Sequence, residues 1–395
     1  MEQHRAVVIG AGIGGLTAAV ALHRSGWDVT VLERAAALTP VGAGIGLAPN
    51  AQRALDVIGL GDRVRALSAW QGDGGMRAPD GRWLARTSAQ AAADRFGGPL
   101  VLLHRATLVE ILTAALPDGV VRTGAPATVA DPGDDARPAV VRTPDGDVEA
   151  ELVVGADGIH SAVRGALFPG HPGLRYSGFT TWRVVVPAPD RPFAPHETWG
   201  RGRLWGTQPL KDGRIYAYAM AAAPEGAHAP DDERAELHRL FGDWHHPVPE
   251  ILAAVAPDAV LRHDVHHLPD PLPAFHHGRV ALLGDAAHAM QPTLGQGGNQ
   301  AIEDAVVLAH HARPDLPPSR ALAAYTADRL PRTTAIVRKA ARTGRLTLVS
   351  ARPAVAVRDA LITAVSRFGP GLVLRGFDGI ADWRPPLAEK RPRVS

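Results

Sequence analysis

Residues 6–33 constrain the fold more than any other stretch. Ala6-Val7-Val8-Ile9 is a continuous apolar run, the pattern of a strand covered on both faces of a parallel sheet. Gly10-Ala11-Gly12-Ile13-Gly14-Gly15 follows, Leu16 to Arg24 has a helical pattern, and Asp28–Leu32 is a second strand closing on Glu33. Gly10 permits the tight turn, Gly12 lets backbone approach a diphosphate, and Gly15 allows the helix to lie close on the strand. A diphosphate then faces the free N–H groups of a helix start. Glu33, 18 residues beyond Gly15, is placed to bind ribose hydroxyls, with Arg34 beside it. Residues 6–33 therefore read as a dinucleotide-binding βαβ unit, and the motif alone does not separate FAD from NAD.

Two later segments repeat the layout of an apolar strand ending in Gly and Asp: Leu152–Asp157 and Val280–Asp285. Their likeness to the first strand predicts one sheet visited three times. Residues 175–275 have another texture, with strand-like segments at Thr180–Val186, Arg203–Gly206 and Arg214–Met220 separated by Pro, Gly and Asp. That predicts an antiparallel sheet inserted into the nucleotide fold. From Ser319 onward the chain reads as largely helical, with a break or kink expected at Pro331 and a loose tail after Pro385.

Several motifs together resemble one family. Gly155-Ala156-Asp157-Gly158 through Arg164 looks like the "DG" fingerprint of the flavin-dependent aromatic hydroxylases, the para-hydroxybenzoate hydroxylase-like class A monooxygenases. Gly284-Asp285-Ala286-Ala287-His288 through Pro292, with Gly295-Gln296-Gly297-Gly298-Asn299 and Glu303-Asp304, is similar to that family's "GD" motif. His104-Arg105 resembles its Arg-bearing helix start, and Val41–Gly46 with Pro49-Asn50 its loop beside the flavin ring.

The resemblance implies a glutathione reductase-type, Rossmann-like α/β fold with an inserted, mainly antiparallel substrate domain and C-terminal helices. It implies an FAD-binding domain from 1–72, 98–174 and 276–318, a substrate domain from 73–97 and 175–275, and a helical segment and tail from 319–395. It implies FAD as cofactor and NADH or NADPH as co-substrate. The activity implied is dioxygen-dependent hydroxylation or epoxidation of a small aromatic or electron-rich substrate through a flavin C4a-hydroperoxide. The cofactor set on this reading is Gly10, Gly12, Gly15, Glu33, Arg34, Gly44, Arg105, Asp157, Arg164, Asp285, Pro292, Gly295, Gly297, Gly298 and Asn299. Asp285 is expected at the ribityl hydroxyls, with a helix cap as its alternative; Asp157 divides between nucleotide contact and a turn-and-cap role. Arg105 and Arg164 are expected near the diphosphate, and Pro292 beside the oxygen-reacting face. No protein side chain is assigned as catalytic, and His288 is given no role.

For the substrate, strand alternation puts Thr181 and Arg183 on one face and Thr180 and Trp182 on the other. Tyr216, Tyr218 and Met220 share a face, and Arg183, Trp205, Tyr216 and Tyr218 are the expected pocket residues. Either set lines the pocket or is plain sheet packing; Arg183 suits an anionic substrate, and aromatic and apolar lining suits a neutral ring or alkene. Met290-Gln291-Pro292 resembles the epoxidising branch of the family, while Ala289 departs from the Pro often found after this His.

Composition removes other chemistries. The chain has no cysteine, so disulfides, thiolate metal sites and cysteinyl-flavin links are excluded. A net charge of +2 with scattered Arg gives no nucleic-acid signature, and no run approaches a membrane span. A cytoplasmic enzyme is expected. Among rivals, a flavin halogenase lacks its Trp-x-Trp signature here, and an NAD dehydrogenase leaves both Asp motifs idle. A reductase or desaturase of the same fold is the alternative, followed by a non-catalytic FAD-binding redox sensor.

Overall fold

The computed structural model of the protein describes residues 4–38, 43–69, 72–314 and 316–386. Val41 and Gly42 of the ring-side loop and the tail beyond residue 386 lie outside the described residues.

A six-stranded sheet has the order His276–His277, Val280–Leu282, Leu152–Gly155, Arg5–Ile9, Asp28–Leu32, Val121–Arg122. The first strand and the two later Gly- and Asp-terminated strands lie side by side and parallel: Val7 pairs with Val153, which pairs with Val280. Val7, Val8, Val153, Val154, Val280 and Ala281 have no solvent exposure, which explains why these strands carry no polar alternation. The helix Ile13–Arg24 crosses from the first strand to Asp28–Leu32 and packs against the helix Gly297–His311. All three strands thus deliver their carboxyl ends to one edge, where open α/β sheets bind ligands.

The second large sheet has seven strands, ordered Leu261–His267, Arg175–Pro187, Arg214–Ala222, Arg203–Pro209, His196–Trp199, Asp73–Arg77, Trp83–Ser88. It is antiparallel except where His196–Trp199 runs parallel to Asp73–Arg77. Its two faces differ. Trp182, Val184, Trp205, Ile215 and Ala217 pack under the helices Glu233–Phe241 and Val248–Ala254. Tyr216 joins Ala43 and Leu210 on the other face, toward the nucleotide sheet.

The C-terminal part contains helices Pro318–Thr347 and Arg352–Ser366. The expected break at Pro331 is absent: the first of these helices runs through it. Pro331 is exposed, whereas Arg329, Thr333, Ile336 and Val337 of the same helix are buried, so anchored packing on the inner face offsets the lost backbone bond. No described helix is long and apolar enough to cross a membrane.

Candidate active site

At the carboxyl edge of the first strand, the glycines divide by what surrounds them. A Cβ on Gly15 would lie 1.9 Å from the Gly10 carbonyl oxygen, and one on Gly10, whose φ is +105°, would lie 2.5 Å from that of Ala156. These two hold helix to strand and strand to strand. A Cβ on Gly12 would meet nothing within 4 Å. Gly12 is the residue before the helix Ile13–Arg24, with no side-chain cap and no acid in the first turn. The space beside it is open and faces a positive helix end. Glu33 accepts hydrogen bonds from the Ala11 and Ala35 N–H groups at 2.8 and 2.9 Å, one on each carboxylate oxygen, which leaves each oxygen further accepting capacity. Arg34 beside it is exposed.

Asp285 opens the short helix Asp285–His288 and is exposed, while Gly284 before it and Ala286, Ala287 and His288 after it are buried. It makes no side-chain hydrogen bond or ion pair among the described residues, so the helix-cap alternative fails: neither this helix nor Gly297–His311 takes a side-chain cap. A Cβ on Gly297 would stand 3.8 Å from Asp285 Oδ1, so the carboxylate lies beside an uncapped helix start. Burial pushes the Arg105 guanidinium down from its ordinary pKa, opposed by Asp285 and assisted by Arg183. Arg105 remains open to solvent and, like Arg183, has no hydrogen-bond or ion-pair partner among the described residues. Three unpaired charges therefore share one cleft.

Behind the Gly297–His311 helix lies a buried polar network that the sequence motifs only partly announce. Arg329 donates to Asp304 Oδ1 and to Glu303 Oε2, both at 2.6 Å, and to Gln300 Oε1 at 2.8 Å. Arg332 makes two further bonds to Glu303. Asp304 also accepts from the Gly284 N–H at 2.9 Å and contacts His288 Nε2 at 2.6 Å. Asn50 donates to Glu303 and Gln296. Burial alone would raise the Asp304 carboxyl; His288 and Arg329 outweigh it and hold the pKa down at about 2. This network fixes Gly284, hence Asp285, against the helix that starts at Gly297. Arg329 went unread in the sequence, although two adjacent acids in an apolar helix segment, Ala301–Ala309, call for a buried cation.

Several expected cofactor ligands prove to be committed within the protein. Asp157 accepts from Ser161 Oγ at 2.5 Å and from the Val163 N–H at 3.1 Å, the turn-and-cap role. Arg164 is 8% exposed and donates to the carbonyls of Ile159, Asp285 and Ala286, which ties the two Asp motifs together and leaves the diphosphate edge to backbone. Asn299 is fully buried: it accepts from the Ala48 N–H and donates to the Gly46 and Gly295 carbonyls, pinning the strand Gly44–Leu47 to the helix start. Gly298 packs on Ile45 of that strand, and Pro292 and Gly295 are exposed on the turn before the helix.

On the opposite wall, a Cβ on Gly44 would stand 2.4 Å from the Tyr216 ring, so this glycine is required by the seven-stranded sheet. Tyr216 and Tyr218 are neighbours, with ring centroids 5.5 Å apart. Tyr218 donates to Glu197 at 2.6 Å, and Glu197 also accepts from Trp199 Nε1 at 2.9 Å. Burial first, then Glu197, pushes the Tyr218 phenol well above its ordinary pKa. Glu197 was missed in the sequence because its partner Tyr218 lies two strands away. Arg183 is felt electrostatically by Arg105, Tyr216 and His263, which brings it to the cleft. Trp205 does not belong there. It is 1% exposed, its indole donates to Thr207, and its ring lies 5.3 Å from Phe241 under the covering helices. Alternation sends it to the far face because it pairs with Ala219, one residue out of phase with Tyr218.

The donor set fits FAD. There is an open, uncapped helix start at Gly12 for a diphosphate, a carboxylate with spare acceptors at Glu33 for a ribose, and an unpaired carboxylate at Asp285 for a polyol. A second uncapped helix start at Gly297 can face a ring edge that gains negative charge. A protein family described as an FAD binding domain matches residues 3–340. The chain is 38% identical over 343 residues to the aurachin C monooxygenase/isomerase of Stigmatella aurantiaca, covering 86% of this chain and 88% of the relative. It is 38% identical over 361 residues to the 3-amino-4-hydroxybenzoate 2-monooxygenase of Streptomyces cremeus, covering 86% of each. The crystal structure of Klebsiella pneumoniae HpxO complexed with FAD and uric acid superposes with a TM-score of 0.86 at 30% identity, covering 96% of both chains.

Proposed function

The chain belongs to the FAD-binding class A flavoprotein monooxygenases, and from that membership we propose that it oxygenates a small aromatic ring carrying an acidic group. It is an oxidoreductase, and FAD is its cofactor. The observation that carries the substrate class is Arg183, a half-buried cation facing the cleft with no hydrogen-bond or ion-pair partner among the described residues, whereas Arg105 has the Asp285 carboxylate near it. A cation left without a carboxylate in a partly desolvated site is complementary to an anion. Relatives whose names specify an aminohydroxybenzoate and uric acid handle such rings.

When bound, FAD supplies electron transfer from NADH or NADPH and the activation of dioxygen. The chain's residues bind, orient and exclude water. Gly12 and the start of Ile13–Arg24 receive the diphosphate, Glu33 the ribose, and Asp285 the ribityl hydroxyls. The helix start at Gly297 stabilises negative charge on the ring. Tyr216, seated on Gly44, and Tyr218 wall the ring off from solvent. The Tyr218 hydroxyl keeps its proton and donates it in a 2.6 Å hydrogen bond to Glu197. The partners on this reading are a small-molecule substrate, NAD(P)H and dioxygen, without nucleic acid, and we place the reaction in the cytoplasm, where NAD(P)H is supplied.

The test is a screen of hydroxybenzoates, hydroxypyridine carboxylates, purines and neutral phenols for accelerated NAD(P)H consumption, repeated under isotopically labelled dioxygen. One labelled oxygen in the product of an acidic ring is the expected result. Product formed equally well without dioxygen, or oxygenation confined to neutral rings that Arg183→Gln leaves unaffected, would overturn the reading.

A further inference from the structure

The helix Arg352–Ser366 is folded inside out. Its one fully inward charge is Arg358, 3% exposed, which donates to the carbonyls of Thr347, Trp199 and Gly200 and to Asp359. Its outward face is apolar: Val357 is 59% exposed, Leu361 62%, Val365 40% and Phe368, just past the helix, 82%. Ala356, Ala360 and Ala364 fill the exposed positions between them. Residues at i, i+4 and i+8 form one stripe, so these side chains make a continuous ridge.

The rim of this ridge is cationic. Arg352 and Arg367 stand at the two ends of the helix, and Arg342, Arg345 and Arg375 of the flanking chain segments are also exposed. The nearby acids are largely occupied: Asp359 pairs with Arg358, and Asp378 with Arg95. From Arg338 to the end, twelve Arg and Lys face four Asp and Glu, although the whole chain carries only +2. The positive charge of the sequence is therefore concentrated in its C-terminal stretch, and the rest of the sequence is net acidic.

We infer that this face docks on an anionic lipid surface, with the ridge entering the headgroup boundary and the rim arginines meeting lipid phosphates. An apolar ridge edged by cations, lying along a helix of about 22 Å, has the form of an interfacial anchor. A second copy of the chain is a poorer occupant. A two-fold contact would set the same arginines against each other, and a stable dimer needs about 800 Å² per partner, more than one short helix face supplies.

The experiment uses the full-length, FAD-loaded protein and vesicles of equal phosphatidylglycerol and phosphatidylcholine, against pure phosphatidylcholine. Co-sedimentation at low salt, about 50 mM, should show binding to the anionic vesicles at least roughly tenfold tighter, largely lost at about 500 mM. Arg352→Gln with Arg367→Gln should weaken it about 25-fold. Leu361→Gln with Phe368→Ser should weaken it roughly tenfold or more while leaving FAD content and vesicle-free turnover unchanged. Absence of binding to the anionic vesicles would overturn the inference, as would an unchanged affinity in the Leu361/Phe368 variant. So would a concentration-dependent dimer that this variant converts to monomer, which would assign the face to a second copy.

Discussion

Two aspartates, one following Gly284 and one bonded to its N–H, show how residue chemistry divides at this site. Asp304 is buried with three partners, whereas Asp285 is exposed with none among the described residues. Asp285→Ala should therefore leave the melting temperature of the FAD-free protein within about a degree of wild type. FAD affinity should fall about tenfold to a hundredfold, the loss of about 1–3 kcal/mol when ligand hydroxyls lose their acceptor. Flavin fluorescence titration beside a melting curve measures both. The glycines divide the same way. Gly12→Ala should fold, at a cost below about 1 kcal/mol, and bind FAD at least about tenfold more weakly, because its methyl enters open space meant for ligand. Gly15→Ala should yield little soluble protein, since its methyl would stand 1.9 Å from a backbone oxygen. Soluble expression and flavin content would separate the two outcomes. These glycine roles were legible in the sequence because spacing alone sets them. The local cap made by Asp157 was one of two sequence readings, but the bonds of Arg164 and Asn299 were not legible, because their partners, such as the Asp285 and Gly46 carbonyls, lie up to 253 residues away.

Among the elements, the helix Gly297–His311 depends most on others: its position is set by Arg329 from the helix Pro318–Thr347. Arg329→Met should destabilise the protein by about 3–5 kcal/mol in urea unfolding, because Glu303 and Asp304 would stay buried with less compensation. Asp304 adds a pH signature. Its folded pKa, about 2, lies below the ordinary carboxylate value, so its contribution is present above roughly pH 4 and is lost as pH falls toward 2. Pro331 in the same long helix is exposed and lacks an N–H. Pro331→Ala restores that donor, and thermal melting should show a gain of about 1–3 kcal/mol. The sequence made Pro331 a stopping point because local propensity weighs against it; the burial of Arg329, Thr333 and Ile336 on the inner face decided otherwise. Strand existence and the three-strand sheet were legible from apolar runs. The face taken by Trp205 was not, since one residue of register inverts a strand and no turn chemistry fixed it.

For the molecule as a whole, acid sensitivity should centre on the strand His196–Trp199, inside the seven-stranded sheet. His196 is 2% exposed there, and burial holds its pKa down to about 4, reinforced by His245 and Arg77 and opposed by its bond to the Ala194 carbonyl. The unfolded imidazole takes a proton near pH 6.5 while the folded one resists it until about 4. Stability from this residue is therefore complete above roughly pH 6.5 and declines as pH falls, with about 2 kcal/mol gone at pH 5. Urea unfolding at pH 7 and pH 5 should show a smaller decline for His196→Gln than for wild type; equal declines would move the effect elsewhere.

The nucleotide sheet is assembled from strands at Arg5–Ile9, Leu152–Gly155 and Val280–Leu282, neighbours in space but distant along the chain. A ribosome releases them in that order, so the cradle for the cofactor stays incomplete until residue 285 has emerged. The first βαβ unit must wait, its apolar strand edge unpaired, until Leu152–Gly155 has emerged, and that strand in turn waits for Val280–Leu282. Nascent chains stalled before Val280 should fail to retain flavin, and those stalled well beyond His311 should hold it. Loading of the cofactor is thereby a late event in synthesis, and it reports that the whole chain up to that point has been made and threaded correctly.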